Sequence, residues 1–302
     1  MLRSNPFPSF LLQMIMLKEH STPQEKQKAF EMSQNTPDLL LIHAALFPAP
    51  YERQVKLFAY PFSTPTYWFL LNIQKNTAPF VVVAQDGDSY DKNTFLTALK
   101  LFSVKTRILE SEEQIEFGAE AHLMHEIAKF VMQEEGHRPG IRHEHHVFYM
   151  TPDQMARVQK VECSLPYGFE ESNLKLEDAE EVFIHSECKQ PVELIRQRIE
   201  YLPSSCIRQS STGVVVSREL RSFSGAMVDQ YTMPEHRRQG LGQAVEISLA
   251  QKIISLDGTP FKLVPTFLTS ILLSSQESPF WSMWSRNTFP VPYVLQAFRK
   301  SL

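Results

Sequence analysis

The stretch Pro234-Glu235-His236-Arg237-Arg238-Gln239-Gly240-Leu241-Gly242 decides how this chain is read. It follows a run of extended character, Ala226 to Met233. It opens into a segment in which Leu241, Val245, Leu249 and Ile253 recur every four residues, with Ala244 and Leu256 on the same face. A basic, glycine-containing loop between a strand and a helix presents its N–H groups at the positive end of the helix dipole, where an anion such as a phosphate chain is held. Gly240 and Gly242 let the backbone approach that anion with no Cβ in the way. A Rossmann turn would need a third glycine where this chain has Val245. A Walker loop would need Gly-Lys-Ser/Thr, which does not occur here. The alternative is an ordinary turn with arginines on the surface.

Outward from the loop, Pro191 to Leu202 reads as an amphipathic helix with Leu194, Ile195, Ile199 and Leu202 inward. Cys206 to Gln209, Gly213 to Leu220 and Gly225 to Met233 are short extended runs separated by polar turns, the pattern of an antiparallel meander. Phe261 to Pro265 is the next strand. Upstream, Tyr67 to Ile73 and Phe80 to Ala84 have the length and composition of buried strands. Asn93 is expected to cap a helix through Phe102, and Ser111 with Gln114 forms a capping-box pattern for the helix after it. Glu144 to Met150 reads as a strand, followed by a helix from Pro152 to Val161. Leu165-Pro166-Tyr167-Gly168 punctuates the chain before a helix-prone run at Lys175 to Ser186, so the domain boundary is expected there, giving domains 1–164 and 165–302. Alternating strands and helices imply an α/β (α+β) architecture and not a bundle.

With 30 basic and 34 acidic residues among 302, and a net charge of -4, the chain lacks the basic footprint of a nucleic-acid binder. No apolar run is long enough for a membrane span. Cys163, Cys188 and Cys206 are far apart, which suggests neither a disulfide framework nor a zinc site, and fits an intracellular compartment. The first 18 residues carry Arg3 and Lys18, no acid, and an apolar patch from Phe10 to Leu17; they read as a folded or frayed terminus more than as a leader. His122, His125 and Glu126 on one helix, and His137, His143, His145 and His146 around Pro139-Gly140, read as a polar helix face and a solvated loop. They do not have metal-ligand spacing.

Arg237, Gly240 and Gly242, following a strand and Pro234-Glu235, resemble the acyl-CoA pyrophosphate loop of the Gcn5-related N-acetyltransferase superfamily. Tyr231-Thr232-Met233 before the loop, Ile195 to Ser204, and Leu249-Ala250-Gln251-Lys252 after it are similar to the glycine N-acyltransferase-like family, from about Leu165 to Pro260. That resemblance implies a C-terminal acyltransferase domain with a mixed, mainly antiparallel sheet, and an N-terminal degenerate copy of the same fold. It also implies a strand before the loop that splays from the next, leaving a slot for pantetheine. Acyl-CoA would be a co-substrate contacted by Tyr231, Thr232, Met233, Arg237, Arg238, Gln239, Gly240, Leu241, Gly242 and Gln243, with no permanent cofactor and no metal. The acceptor would be glycine or a similar amino acid, and the location mitochondrial or cytoplasmic.

Acyl transfer from a thioester to an amine needs a neutral, positioned nitrogen, donors for the oxyanion and a sink for the proton. The related enzymes place a Glu just after the glycine that opens the strand; this chain has Ala226 there. Alternation would put Asp229 on the opposite face from Ala226. Glu219, on the preceding strand, is expected to pair close to the strand start and is the candidate base. Ala226 also motivates a non-catalytic acyl-CoA binder, and a protein or polyamine N-acetyltransferase is a further alternative. After Pro265 the chain departs from the family again, and Trp281 and Trp284, at helical spacing, line the acceptor pocket or pack in the core.

Overall fold

The computed structural model describes residues 16–34, 36–47, 53–75, 77–186 and 190–301. Residues 1–15 of the candidate leader and Cys188 lie outside them. Of the described residues, those within 16–46, 53–145 and 285–301 gather into one compact unit, and Phe47 with those within 146–284 into a second.

The first unit begins with β1 (Lys18–His20), α1 (Pro23–Ser33), α2 (Leu40–Leu46), β2 (Gln54–Tyr60), β3 (Tyr67–Ile73) and β4 (Phe80–Gln85). It continues with α3 (Lys92–Thr106), α4 (Ile108–Ser111), β5 (Gln114–Glu120), α5 (Ala121–Gln133) and the start of β6 (His137–Tyr149). β1 to β4 pair antiparallel in sequence, and β4 then pairs parallel with β5. Phe58, Phe69, Phe95, Phe102, Phe117 and Phe298 form the centre of a single buried cluster. The helix over Lys92–Thr106 is capped by Asp91, whose carboxylate accepts the Thr94 N–H at 2.7 Å; Asn93, the expected cap, lies inside the helix. Ser111 ends a helix instead of starting one. From Gln114 the buried residues Ile115, Phe117 and Ala119 alternate with period two, and the chain forms β5.

The second unit takes the rest of β6, then α6 (Pro152–Val158), β7 (Phe169–Ser172), α7 (Ala179–His185), α8 (Val192–Tyr201), β8 (Ser204–Gln209), β9 (Val215–Arg221), β10 (Met227–Thr232), α9 (Leu241–Ser255), β11 (Phe261–Pro265), α10 (Thr269–Glu277) and β12 (Ser282–Met283). Strand neighbours run β6-β11-β10-β9-β8-β7, antiparallel from β7 to β10 and parallel between β10 and β11. α9 packs on one face, where Met227, Ile247, Leu249, Ala250 and Ile253 share a cluster. On the other face α7 and α8 cover Cys206, Val215 and Leu220 with Val182, Ile195 and Ile199. The chain then returns to the first unit with β13 (Ser285–Arg286), β14 (Phe289–Pro290) and β15 (Pro292–Lys300), which pairs antiparallel with β5.

The expected α/β architecture with mixed, mainly antiparallel sheets is therefore found. Strand, two helices, three strands, a crossover and a parallel strand occur in that order in both units. The chain passes between them within β6, at His145/His146, and returns at Trp284/Ser285, while the punctuation at Leu165 to Gly168 lies inside the second unit.

Three smaller expectations are corrected. The histidines near Pro139 belong to strand β6, with His137 and His145 buried; burial pulls His145 down to about 4. Leu256 is exposed because α9 ends at Ser255 and the next residue leaves the helical period. Trp281 and Trp284 flank β12 in extended chain, not a helix, and both are core residues.

In the first unit Arg286 carries a dense load. Its two terminal nitrogens donate to the two oxygens of Glu120, Nη2 also donates to the Gln85 carbonyl at 3.2 Å, and Nε reaches Asp38 at 3.1 Å. Glu120 is almost fully buried. Removing one partner of such a pair leaves an uncompensated buried charge, so Arg286→Ala is expected to cost about 3–5 kcal/mol of stability. Adding Glu120→Gln should recover part of that loss, as a denaturant titration of the single and double variants will measure.

Candidate functional site

The site is built where β10 meets two different neighbours. Against β9 its register is Met227↔Arg221, Val228↔Leu220, Tyr231↔Arg218 and Thr232↔Ser217, so Asp229 and Gln230 stand opposite the single residue Glu219 in a bulge. Against β11 the register is Met227↔Lys262 alone, among the described residues. From Val228 to Thr232 the strand has lost its β11 partner. The expected parting of these two strands is present.

The bulge breaks side-chain alternation. Met227 belongs to the α9 cluster, yet Asp229, two residues on, hydrogen-bonds Arg198 of α8 and Ser186 on the opposite face. Gln230 returns to the α9 side and donates to the Gly242 carbonyl at 3.0 Å. Tyr231 then turns to the α7/α8 side, stacked on His185 with 4.5 Å between ring centroids, and Arg218 lies 5.3 Å from its ring centroid. Asp229 has φ +56°, which a non-glycine residue rarely adopts. The strict period assumed in reading Asp229 from sequence does not survive this backbone.

After Thr232 the chain makes one 3-10 turn, Pro234–His236, and Gly240 caps α9 at φ +78°. Arg238 also has positive φ, at +64°. Arg237 folds back so that Nε donates to the Thr232 carbonyl at 3.0 Å. The backbone N–H groups from Arg238 through Gln243 meet no acceptor among the described residues; the helical ladder begins with Ala244 N–H to Gly240 O at 3.0 Å. Arg237, Arg238, Gln239, Gly240 and Gln243 are exposed, whereas Leu241 is buried beneath the loop with Val245, and Met233 packs beside them. Gly242 lies close to Thr232: a Cβ there would be 3.4 Å from Thr232 Oγ1, which in turn bonds Ser217 Oγ at 2.8 Å. The corresponding turn of the first unit, between β4 and α3, is closed by its own Asp91 carboxylate. An acid at the cap competes with any bound anion; in the second unit the cap is Gly240, and the acid of that turn, Glu235, lies in the 3-10 turn before it.

Glu219 is not where the sequence reading put it. The strand start pairs with Arg221, Ala226 lies in the turn with its carbonyl accepting the Ser222 N–H at 2.8 Å, and Glu219 sits opposite the bulge on the α9 side. It is 2% exposed, and its hydrogen-bond partner is Gln230 Nε2 at 3.4 Å. Burial and the nearby Glu246 carboxylate push its pKa well above the usual carboxylate range, against the pull of Lys262, which is ion-paired with Glu246. A buried carboxyl whose pKa is pushed up in this way is a weaker candidate for an ionised base than an exposed one. Sequence reasoning missed Arg198, Arg218, Ser186 and His185, because nothing in the spacing of 185 to 198 and 218 reveals that all four converge on Asp229 and Tyr231.

By sequence the chain matches no protein-family model and no curated protein. By structure it is similar to a Drosophila protein, with TM-score 0.69 at 11% identity, covering 93% of this chain and 98% of that one. It is also similar to a tandem GNAT protein from the clavulanic acid biosynthesis pathway, solved without acetyl-CoA, with TM-score 0.51 at 9% identity over 95% and 99% of the two chains. The fold is that of the GCN5-related N-acetyltransferases. Among the described residues no helix is long and apolar enough to cross a membrane.

Glu219 carries a pH signature. Its folded pKa lies above its unfolded one, so the folded state binds the extra proton and stability falls as pH rises from the unfolded value near 4.5 toward the folded value. Glu219→Gln removes this penalty. The variant is expected to melt on the order of 2–4 °C higher at pH 7.5, the shift that about 1 kcal/mol produces in a chain of this class. The gain should vanish near pH 4 in a scanning-calorimetry series.

Proposed function

We propose that the chain is an acyl-CoA-dependent N-acyltransferase whose second unit holds the acyl-CoA, with glycine or another small amino acid as acceptor. The observation that carries this reading is the run of free backbone N–H groups from Arg238 to Gln243, at the end of a strand that parts from its neighbour. The GNAT fold supports it, and so does the likeness of Arg237, Gly240, Gly242 and their flanks to the glycine N-acyltransferase-like family. The first unit, with Asp91 in the equivalent turn, is the degenerate copy. Mitochondrion or cytoplasm as the location belongs to the same proposal.

In this reading the pyrophosphate lies on the N–H groups from Arg238 to Gln243, and the pantetheine arm takes the β10 edge that β11 leaves open. The Met233 N–H is taken by the Val216 carbonyl at 2.9 Å, so the thioester carbonyl would be met by those backbone N–H groups of β10 that point to the edge β11 leaves open. The acceptor nitrogen attacks that carbon, an oxyanion forms against the strand donors, the C–S bond breaks as the C–N bond is completed, and the thiolate takes up a proton. Asp229 is already bound by Arg198 and Ser186, and Glu219 is buried. The acceptor amine therefore loses its extra proton to water before it attacks, and the proton it sheds as the amide forms passes to water as well. Ala226 keeps a second reading in view, in which the chain binds acyl-CoA without turning it over.

A calorimetric titration with CoA tests the loop. Gly240→Ala strains a left-handed position, and Gly242→Val brings side-chain carbon against Thr232. The folded double variant is expected to bind CoA at least tenfold more weakly, about 1.4 kcal/mol. Unchanged affinity would remove the central support. Thiol release from acetyl-, benzoyl- and longer acyl-CoA with an amino-acid panel separates enzyme from binder.

A further inference from the structure

Asp229 carries a strained backbone at the centre of the strand that borders the slot. A side-chain-bearing residue in the left-handed region persists only where its surroundings over-determine it. Here they do so three times. Arg218 Nη1 donates to the Asp229 carbonyl oxygen at 2.7 Å, Arg198 Nη1 donates to Oδ2 at 2.8 Å, and Ser186 Oγ donates to Oδ1 at 2.6 Å. The donors come from β9, from α8 and from the residue that ends α7.

Both arginines are buried, Arg218 at 0% and Arg198 at 3% exposure. Arg218 is anchored in turn by the Val182 carbonyl at 3.1 Å and by Glu181 at 3.3 Å. Arg198 reaches the Arg221 carbonyl and Gln190, both at 3.3 Å. Tyr231 is held on the same face between Arg218 and His185. Gln230, between two fixed residues, has little freedom left.

We propose that Arg198, Arg218 and Ser186 form a clamp on Asp229 whose task is to fix the bulge, and with it the backbone donors of β10 that meet the acyl carbonyl. Arg198 and Asp229 are positioning residues in this account, acting through the strand and not on the reacting atoms. The inference rests on the acyl-CoA reading.

Stability alone is a weak reason for such an arrangement. A buried ion pair can often be replaced by apolar residues with no loss, because two desolvated charges repay little beyond their own cost. Arg198 does not even satisfy itself: its Nη2 has no hydrogen-bond partner among the described residues. What the charged clamp supplies, and apolar packing would not, is direction. Hydrogen bonds to the Asp229 carbonyl and to both carboxylate oxygens fix the peptide planes on either side, and donors to a developing oxyanion work only within a narrow geometry.

The test compares the full-length wild type with Asp229→Asn, Arg198→Gln, Arg198→Lys and the Asp229→Asn/Arg198→Gln pair. Three quantities are read: the melting temperature, the affinities for CoA and for a non-hydrolysable acyl-CoA thioether, and kcat with glycine. The clamp predicts that CoA affinity stays within about twofold, since the loop is untouched. It predicts that the extra affinity for the acyl form over CoA disappears, that kcat falls by roughly 10–100-fold, that Arg198→Lys lies between, and that the pair is no slower than either single variant.

Variants that keep both kcat and the acyl preference overturn the clamp. So does a parallel fall of CoA affinity, kcat and melting temperature, which would make the residues ordinary supports of the fold. If kcat is undetectable in the wild type, the loss or retention of acyl preference decides alone. A wild type that binds neither CoA nor its thioether overturns the acyl-CoA reading, and the clamp's purpose with it.

Discussion

Strand β10 has to satisfy two neighbours that diverge, pairing with β9 over most of its length and with β11 at Met227↔Lys262 alone. Backbone groups deprived of a ladder must find other partners or face solvent, and the second unit answers in two ways. On the α7/α8 face the bulged residue is bound by side chains. Along the other edge, Val228 to Thr232 have no β11 partner among the described residues. The loop that follows extends the same theme, since its N–H groups stand unmatched at the mouth of α9.

The two units repeat one order of elements, yet their electrostatics differ at the decisive turn. Asp91 satisfies the start of α3 with its own carboxylate, which stabilises a helix and excludes an anion. Gly240 offers no side chain, and Arg237 and Arg238 stand beside it. Capping is the ordinary solution for a helix N-terminus. With glycine at the cap in the second unit the loss relative to an Asp or Ser cap is only a few tenths of a kcal/mol, so leaving these donors open costs the fold little.

Much of this was legible in the sequence. The strand over Tyr67–Ile73 is an apolar run broken by Asn72 alone, and α9 declares itself through Leu241, Val245, Leu249 and Ile253. In each case burial and period coincide. What escaped were features where backbone departs from its period. The bulge at Asp229 shifted one side chain to the other face, and with it the supposed relation of Glu219 to Ala226. Asn93 lost the cap to Asp91 because both are good caps and they stand two positions apart. The Gln114 to Glu120 strand was hidden behind Ser111, a residue that starts helices as readily as it ends them. Arg198 reads from sequence as one polar residue on an amphipathic helix; only the packing of α8 against the bulge makes it an internal charge.

The fate of the carboxylates bears on how the chemistry would proceed. Of the acids near the bulge, Asp229 is engaged by Arg198 and Ser186, Glu219 is buried with its pKa pushed up, and Glu246 is paired with Lys262. A general base must be ionised at the working pH and reach the nucleophile. None of these three is placed to do both. In the proposed reading these acids serve the scaffold, and no neighbour among these three stands in for the base that the family resemblance would place at Ala226. A transferase built this way would depend on positioning the acyl carbonyl and on donors already aimed at its oxygen, with proton removal left to water. Its rate would then be governed by how rigidly β10 is held, which makes two buried arginines behind the strand more consequential than any acid in front of it.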